Sequence, residues 1–224
     1  MIKLIVFDMA GTIINENNVV YKTLRKAINW QGFNFSLDEV LLYGAGKEKH
    51  QAIKDILNSK NPNYALNGVS LTIFNDFSEL LKVNYENLVI ETFPETEEVF
   101  KKLKEKGIKI VLNTGYNRET ALLLLAKLKW EEGKQYDALI TASDVEKGRP
   151  AADMIFKAME LFDITNAQEV VKIGDSIIDI EEGKTANCGI TIGVTTGAHT
   201  EEQLKSANPN YIINSLIELT QILF

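Results

Sequence analysis

Acidic and hydroxyl side chains follow three apolar segments of the sequence. Asp8 comes directly after the run 4–7, and Thr114 follows the run 108–113. Asp175 stands two residues after the run 170–173, and Asp179 lies four residues later. Carboxylate oxygens are the ligands that Mg²⁺ prefers, and a hydroxyl can donate a hydrogen bond to a phosphoryl oxygen. These residue types could therefore hold a divalent metal and hydrogen-bond to an oxygen-rich group.

The elements that must position these side chains are short buried strands separated by helical stretches. Such alternation predicts a parallel α/β sheet, and open α/β sheets bind ligands at the carboxyl ends of their strands. The sequence predicts six strands, at 3–7, 108–113, 138–141, 170–173, 190–194 and 211–213.

A different pattern separates the first two predicted strands. Between Val20 and Tyr85, apolar residues recur at helical spacing and no strong strand signal occurs. The sequence thus predicts a helical insertion after the first strand, with a turn at 61–63. A short amphipathic helix is predicted at 216–224.

The segment Asp8-Met9-Ala10-Gly11-Thr12 resembles motif I of the haloacid dehalogenase (HAD) superfamily, which usually reads Asp-x-Asp-Gly-Thr. The resemblance implies that Asp8 attacks phosphorus, whereas Ala10 replaces the acid that protonates the leaving group. Such an acid typically contributes about 10²–10⁴-fold to the rate. Ala10 therefore means that the proton comes from elsewhere, that the leaving group needs none, or that the site is inactive.

Two further segments resemble motifs II and III of this superfamily. In the first, 113–118, the resemblance implies that Thr114 binds a phosphoryl oxygen beside Gly115 and Tyr116. In the second, Gly148-Arg149-Pro150, Arg149 would supply the cation that steadies the charge, and Lys147 is the alternative cation. The structural alternatives are that Thr114 caps a helix and that the second segment is a charged loop before a helix at 152–161.

The segment 174–179 resembles motif IV, Gly-Asp-x-x-x-Asp. The resemblance implies Mg²⁺ held by Asp8, the backbone carbonyl of Ala10, Asp175 and Asp179, the last directly or through water. Met9, Ala10, Gly115 and Tyr116 are the predicted substrate-binding residues. Alternatively, Asp175 caps a helix and Asp179 lies in its first turn.

Ala10, the Thr-Gly-Tyr form of motif II and Gly-Arg-Pro together resemble the phosphonatase-like branch, whose members cleave a carbon–phosphorus bond through a Schiff base on a cap lysine. Gly44, Lys47 and His50 fit the cap motif of that branch, so Lys47 is the predicted imine-forming residue and His50 the predicted proton shuttle. Residues three apart share one face of a helix. Lys49 and Lys54 are expected to be solvated surface lysines, which is also the alternative for Lys47.

The resemblance implies an α/β fold: a HAD-type, Rossmann-like parallel sheet core with an inserted helical C1 cap. The core would comprise 1–14 and 92–224, and the cap 15–91. The segment 193–199 resembles a late loop of the same branch, in which His199 is expected to be an ordinary loop residue. Proteins of this branch often form homodimers through their caps, which makes a cap-mediated homodimer the expected assembly.

The composition narrows the classes of partner. The chain of 224 residues has a net charge of −7 and no basic block, which argues against nucleic acid as a partner. It has no apolar run of membrane-spanning length, its start does not resemble a signal peptide, and Cys188 is its one cysteine. We therefore expect a cytoplasmic enzyme with a small phosphonate or phosphate substrate and no membrane partner.

Three functions remain open from the sequence. The first is carbon–phosphorus cleavage through an aspartyl-phosphate on Asp8 and an imine on Lys47. The second is a phosphatase of small phosphomonoesters, which takes its proton from His50, Lys47 or water, or acts on a good leaving group. The third is a non-catalytic binder of a phosphorylated or phosphonate ligand.

Overall fold

A six-stranded parallel sheet forms the centre of the computed structural model, which describes residues 1–64 and 68–224. The strands lie in the order β5-β4-β1-β6-β7-β8. They comprise β1 (Leu4–Asp8), β4 (Lys109–Thr114), β5 (Ala138–Thr141), β6 (Val170–Gly174), β7 (Ile190–Val194) and β8 (Tyr211–Ile213). The predicted α/β fold is confirmed, and each predicted strand agrees with an observed strand to within one residue at either end.

Strand β1 can lie at the centre of the sheet because its sequence is apolar. Leu4 to Phe7 are all completely buried, because both faces of the sheet are covered. Ile5 and Phe7 pack into one apolar cluster, and Leu4 and Val6 pack into the other, as the alternation of side chains along a strand requires. This burial fixes the register that places Asp8 opposite Asn113 of β4.

Six helices accompany the sheet strands. Those that follow β4 and β6 begin just beyond the polar residues at the strand ends, so their first turns face the same edge of the sheet. The helices are α5 (Thr96–Glu105), α6 (Arg118–Leu128), α7 (Asp153–Leu161), α8 (Ile177–Thr185), α9 (Glu201–Ser206) and α10 (Leu219–Leu223). The predicted closing helix at 216–224 is a 3₁₀ turn, Leu216–Glu218, followed by α10.

The short strands β2 (Ile14–Asn15) and β3 (Glu91–Thr92) pair with each other in antiparallel fashion, and the described residues between them form four helices. The helices pack on one another, and we call them the helical unit. They are α1 (Val19–Trp30), α2 (Leu37–Gly44), α3 (Lys49–Lys60) and α4 (Val69–Glu86). The predicted helical insertion is therefore present, and β2 and β3 lie where the chain enters and leaves it.

The loop between α2 and α3 differs from the sequence prediction. Glu48 caps α3, because its carboxylate accepts hydrogen bonds from the backbone N–H groups of His50 and Gln51. Lys47 consequently lies before the helix, and the prediction that Lys47 and His50 share one helical face is wrong. The next lysine, Lys49, becomes the first residue of α3.

Among the described helices, none is long and apolar enough to cross a membrane. Cys188 is half-buried, and burial raises the pKa of its thiol to about 12. The thiolate, which is the reactive form, is therefore scarce at neutral pH.

Candidate active site

Three buried carboxylates converge at the carboxyl edge of the sheet. Asp8 ends β1, Asp175 follows β6, and Asp179 lies in the first turn of α8. Each offers an oxygen within 4.8 Å of the others. The strand ends bring Asp8 and Asp175 together, and the turn after β6 adds Asp179.

Arg149 binds this cluster from the loop before α7. Its Nη1 lies 2.7 Å from Asp8 Oδ1 and 3.0 Å from Asp179 Oδ1, and its Nε lies 3.1 Å from Glu182 Oε2. Arg149 is buried, whereas Lys147, the alternative cation, is exposed. The geometry therefore places Arg149 at the position expected of the motif III cation.

A second buried cation and a fourth buried acid complete the cluster, and the sequence analysis missed both. The Lys172 ammonium lies 2.9 Å from Asp179 Oδ1 and 3.2 Å from Glu182 Oε2, and both Lys172 and Glu182 are fully buried. Asn113 connects Lys172 with Glu182, since its side-chain amide donates to Glu182 and its side-chain oxygen accepts from Lys172. The sequence signal that could have revealed this pair is Lys172, a charged residue within the otherwise apolar strand β6.

The charges of the cluster fit a divalent metal. The four acids Asp8, Asp175, Asp179 and Glu182 outnumber the two cations Arg149 and Lys172 by two. Burial and the neighbouring charges of Asp8 and Asp179 hold the pKa of Asp175 well above its usual value. Burial also raises the pKa of Asp8, although Arg149 opposes the effect. An oxygen-rich set with an excess of two negative charges is suited to a hard divalent cation.

Asp179 differs from its neighbours because two cations contact it. Burial favours its neutral form, but Arg149 and Lys172 outweigh burial and lower its pKa. Its Oδ2 accepts hydrogen bonds from the backbone N–H and hydroxyl of Ser176, the residue that caps α8. Asp179 thus lies in the first turn of α8 and also beside Asp8 and Asp175, the other carboxylates that could bind a metal. Asp175 does not cap that helix.

Thr114 lies at the end of β4, one strand away from Asp8. It is buried, and its Oγ1 accepts a hydrogen bond of 3.2 Å from the backbone N–H of Tyr116. The cap of α6 is Asn117 rather than Thr114, because the Asn117 side chain accepts from Thr120. The capping alternative for Thr114 therefore does not hold.

Two of the predicted substrate-binding residues, Met9 and Ala10, lie in the loop after β1. The Met9 side chain is completely buried in the apolar core, so only its backbone can face the site. Ala10 is partly buried and forms an isolated β-bridge with Ile14. A methyl group therefore occupies the place where the motif usually has its acid.

Gly115 allows the helical unit to approach the sheet closely. A Cβ built on Gly115 would lie 2.8 Å from both the Gly46 and the Lys47 carbonyl oxygens. Such a distance is too short for a methyl group beside backbone atoms, so the two loops would have to separate. Gly46 carbonyl also receives a 3.5 Å hydrogen bond from Arg149, which ties this loop to the acidic cluster.

We expect Gly115→Ala to lower the turnover of a phosphorus substrate at least about tenfold, because a displacement of catalytic groups by about 1 Å can cost 10²-fold. Gly148→Ala is the matched control, since a Cβ there meets no atom within 4 Å and its φ is not positive. Steady-state kinetics of the two variants would test this. Equal activity of both variants would contradict the role of the close contact.

The structure places Lys47 and His50 inside the helical unit. The Lys47 ammonium pairs with Asp55 Oδ2 at 2.5 Å, and the side chains are 22% and 30% exposed. His50 Nε2 lies 3.2 Å from Ser70 Oγ, and its ring packs against Phe74. Among the contacts of the described residues, neither side chain reaches Asp8.

Lys49 occupies the position between the helical unit and the acidic cluster. Its Nζ lies 5.3 Å from the ring centre of Tyr21 and 5.2 Å from that of Tyr116, and it donates to the Lys47 carbonyl at 2.8 Å. Burial lowers its pKa to about 8, against the opposing charge of Asp8. The prediction of a solvated Lys49 is wrong, because α3 begins at this residue and directs it inwards.

A buried hydroxyl network surrounds Lys49, and sequence reasoning did not find it. Tyr21 Oη accepts a 3.0 Å hydrogen bond from Gly46 N–H. Tyr85 Oη lies 3.0 Å from Tyr116 Oη and donates to Glu16 Oε2 at 3.4 Å. This network joins the helical unit to the motif II loop.

Glu16 lies where the chain enters the helical unit, and burial raises the pKa of its carboxyl to about 7 from 4.5. Between these values the folded protein binds more protons than the unfolded chain does. The unfolding free energy due to Glu16 therefore falls as the pH rises from about 4.5 to 7, by about 3 kcal/mol. We expect Glu16→Gln to be more stable relative to the native protein at pH 8 than at pH 5, as urea unfolding would show. An unchanged difference at the two pH values would contradict the shift.

The loop after β7 makes further contacts with the acidic cluster and with the helical unit. Ala198 N–H donates to Asp175 Oδ2 at 2.6 Å, and Thr196 Oγ1 donates to the Gly11 carbonyl at 2.6 Å. His199 is buried; its Nδ1 accepts from the backbone N–H of Ile177, so its Nε2 donates to the Leu41 carbonyl of α2. His199 thus lies in the loop after β7, as predicted, and links α8 to α2 of the helical unit.

Comparisons with known proteins agree with this geometry. A family model described as haloacid dehalogenase-like hydrolase matches residues 2–187. The phosphonoacetaldehyde hydrolase of Latilactobacillus sakei is 29% identical over 99% of this chain and 95% of its own length. Pyrophosphatase PpaX of Bacillus mycoides is 26% identical over 99% of this chain and 97% of its own length.

Solved structures show the same fold. A phosphonoacetaldehyde hydrolase like protein from Oleispira antarctica superposes with a TM-score of 0.84 at 22% identity, covering 99% of this chain and 91% of that one. A hydrolase from Pseudomonas syringae gives 0.85 at 17% identity, covering 99% and 97%. The chain belongs to the haloacid dehalogenase-like hydrolases, and its relatives include phosphonoacetaldehyde hydrolase-like proteins.

Proposed function

We propose that this hydrolase cleaves the carbon–phosphorus bond of a small carbonyl-bearing phosphonate, with Lys49 in the role that the sequence predicted for Lys47. The observation that supports it best is a buried lysine beside an acidic cluster that lacks the usual leaving-group acid. An imine-forming lysine must be available as the free amine, and the lowered pKa of Lys49 provides it near neutral pH.

The proposed reaction begins at the carbonyl carbon. The neutral Lys49 amine adds to the carbonyl, takes up a proton from solvent and loses water, which gives a protonated imine. Asp8 then attacks phosphorus, and the electron pair of the broken carbon–phosphorus bond moves into the imine to form an enamine. Since the carbon leaves as an enamine, no acid is needed at position 10.

The remaining steps return the enzyme to its starting state. The enamine takes a proton on carbon, and water releases the carbonyl product from Lys49. A second water hydrolyses the aspartyl-phosphate on Asp8 to inorganic phosphate. Arg149 and Thr114 would hold the phosphoryl oxygens during both transfers.

We propose Mg²⁺ as the metal of this site, held by Asp8, Asp175, Asp179 and the Ala10 carbonyl. The ion would neutralise charge on the transferring phosphoryl group. Because it also offsets the excess negative charge of the cluster, we expect Mg²⁺ to raise the melting temperature and EDTA to abolish turnover. A melting temperature independent of Mg²⁺, together with full activity in EDTA, would contradict the assignment.

The experiment for the reaction is phosphate release from phosphonoacetaldehyde with Mg²⁺, combined with borohydride reduction during turnover. We expect rapid release and a reduced adduct that peptide mass mapping places on Lys49. An Asp8→Asn variant should still form the adduct without releasing phosphate, because carbonyl addition does not require the nucleophile. Phosphate release with no adduct on any lysine would contradict the imine.

A second candidate function is hydrolysis of a phosphate ester or anhydride, which the similarity to pyrophosphatase PpaX favours. A phosphate leaving group is stable as an anion and needs little help from an acid at position 10. Turnover of pyrophosphate or a phosphomonoester panel that survives loss of Lys49 would support this candidate over the first.

A further inference from the structure

A cavity of about 430 Å³ opens beyond Lys49, between α4 of the helical unit and α6 beside the sheet. Its volume lies in the range of small-molecule sites. Lys49 and Tyr116 line it, together with the apolar side chains of Phe74, Phe77 and Leu81 from α4 and Leu123 from α6.

The positions of Asp8, Lys49 and the cavity indicate how a substrate bound to Lys49 would be oriented. Asp8 does not line the cavity. It pairs with Arg149, which also donates to the Gly46 carbonyl, and the next carbonyl of that loop, Lys47, accepts from Lys49. The cavity lies against the same lysine, and it also reaches Gly115 of the motif II loop. A carbonyl carbon bonded to Lys49 would thus have its phosphorus-bearing carbon towards Asp8 and its other substituent towards the cavity.

The lining also restricts the charge of that substituent. Three acids, Glu48, Glu79 and Glu119, line the cavity together with Lys49 and Lys82. The three acids outnumber the two lysines even when the protonated imine keeps the positive charge of Lys49, and this excess disfavours an anionic substituent. The aromatic and aliphatic walls favour an uncharged hydrocarbon group, since each buried methylene contributes about 0.8 kcal/mol, or roughly fourfold in binding.

We propose that the cavity binds an apolar substituent on the carbonyl carbon, so that the preferred substrate is a 2-oxoalkylphosphonate ketone rather than phosphonoacetaldehyde. This inference rests on the proposed carbon–phosphorus cleavage. Phosphonoacetaldehyde carries only hydrogen at that position and would leave the cavity to solvent. The products would be inorganic phosphate and a methyl ketone, formed from the ketone and water by the steps given above.

The test compares phosphate release from phosphonoacetaldehyde and from 2-oxopropyl- and 2-oxopentylphosphonate. The two ketones have similar intrinsic reactivity, so their ratio reports on the cavity. We expect kcat/KM to be roughly tenfold higher for the pentyl compound, as two buried methylenes imply. An analogue with a terminal carboxylate should be turned over more slowly than the pentyl compound.

Matched variants locate the effect. Ser78→Trp on α4 and Leu123→Trp on α6 would fill the cavity from opposite walls and should remove the preference for the pentyl compound, with 2-oxopropylphosphonate turnover retained. Val83→Trp is the control, because Val83 lies on α4, is 58% exposed and does not line the cavity. A flat ratio in the native protein, or a ratio that both filling variants leave intact, overturns this inference and leaves the proposed function standing. No phosphate release from any of the three compounds overturns both.

Discussion

Lys49→Met is expected to lower phosphate release from a carbonyl phosphonate by about three orders of magnitude or more, whereas Lys47→Met should stay within a few-fold of the native rate. Without an imine, the electron pair of the carbon–phosphorus bond has no acceptor, and a thousandfold loss corresponds to about 4 kcal/mol of barrier. The two lysines lie two residues apart, so the pair of variants separates the buried amine from the one that is paired with Asp55.

Stability measurements on the same variants would show whether unfolding accounts for the loss of phosphate release. The pKa of Lys49 falls from 10.5 to about 8 on folding, so below pH 8 the folded protein carries a cost of up to about 3 kcal/mol for the buried charge. Lys49→Met removes that cost and should raise the urea midpoint at pH 7. The native protein should itself gain stability as the pH rises from about 8 to 10.5.

The pH dependence of imine formation supplies a third readout. The rate of adduct formation with an aldehyde should rise with pH through about 8, whereas an ordinary lysine would give a midpoint above 10. Full activity in Lys49→Met together with loss in Lys47→Met would restore the sequence-based assignment and contradict ours.

The second large effect concerns the buried cation of the site. Arg149→Met should abolish turnover and destabilise the fold by about 3–5 kcal/mol, because Asp8, Asp179 and Glu182 lose a shared partner where water cannot replace it. Urea unfolding measures the loss. Arg118→Met is the control, since Arg118 forms an exposed ion pair with Asp144 that should contribute less than about 1 kcal/mol.

A combined change distinguishes charge from packing. If the acids are responsible for the destabilisation, then Glu182→Gln added to Arg149→Met should recover part of the lost stability. A double variant less stable than Arg149→Met would show that the guanidinium acts through its contacts with Asn113 and Gly46 instead.

The strand ends were predictable from the sequence because a buried parallel strand is a short apolar run that stops at a polar residue. Asp8, Thr114 and Asp175 follow such runs, and neighbouring strands bring them together without further information. The late strands Ile190–Val194 and Tyr211–Ile213 gave weaker signals, and the structure contains both.

The sequence could not distinguish the environments of Lys47 and Lys49 for a local reason. Whether Lys47 or Lys49 points inwards depends on where α3 begins, and this is set by the Glu48 cap, which apolar spacing does not locate. The network of Glu16, Tyr85 and Tyr116 was hidden for another reason, since its members are separated by 31 and 69 residues. Lys172 and Glu182 look like ordinary surface charges until β6 and α8 are packed together.

The unreactive thiol of Cys188 makes the chain suited to distance measurements by spin labelling. Because its pKa of about 12 keeps it protonated at neutral pH, labels can be directed to introduced cysteines without removing the native one. Leu42 on α2 and Phe156 on α7 are 42% and 50% exposed and offer one attachment point on each side of the site. The distances between labels at these two positions would show whether α2 and α7 move relative to each other when substrate binds.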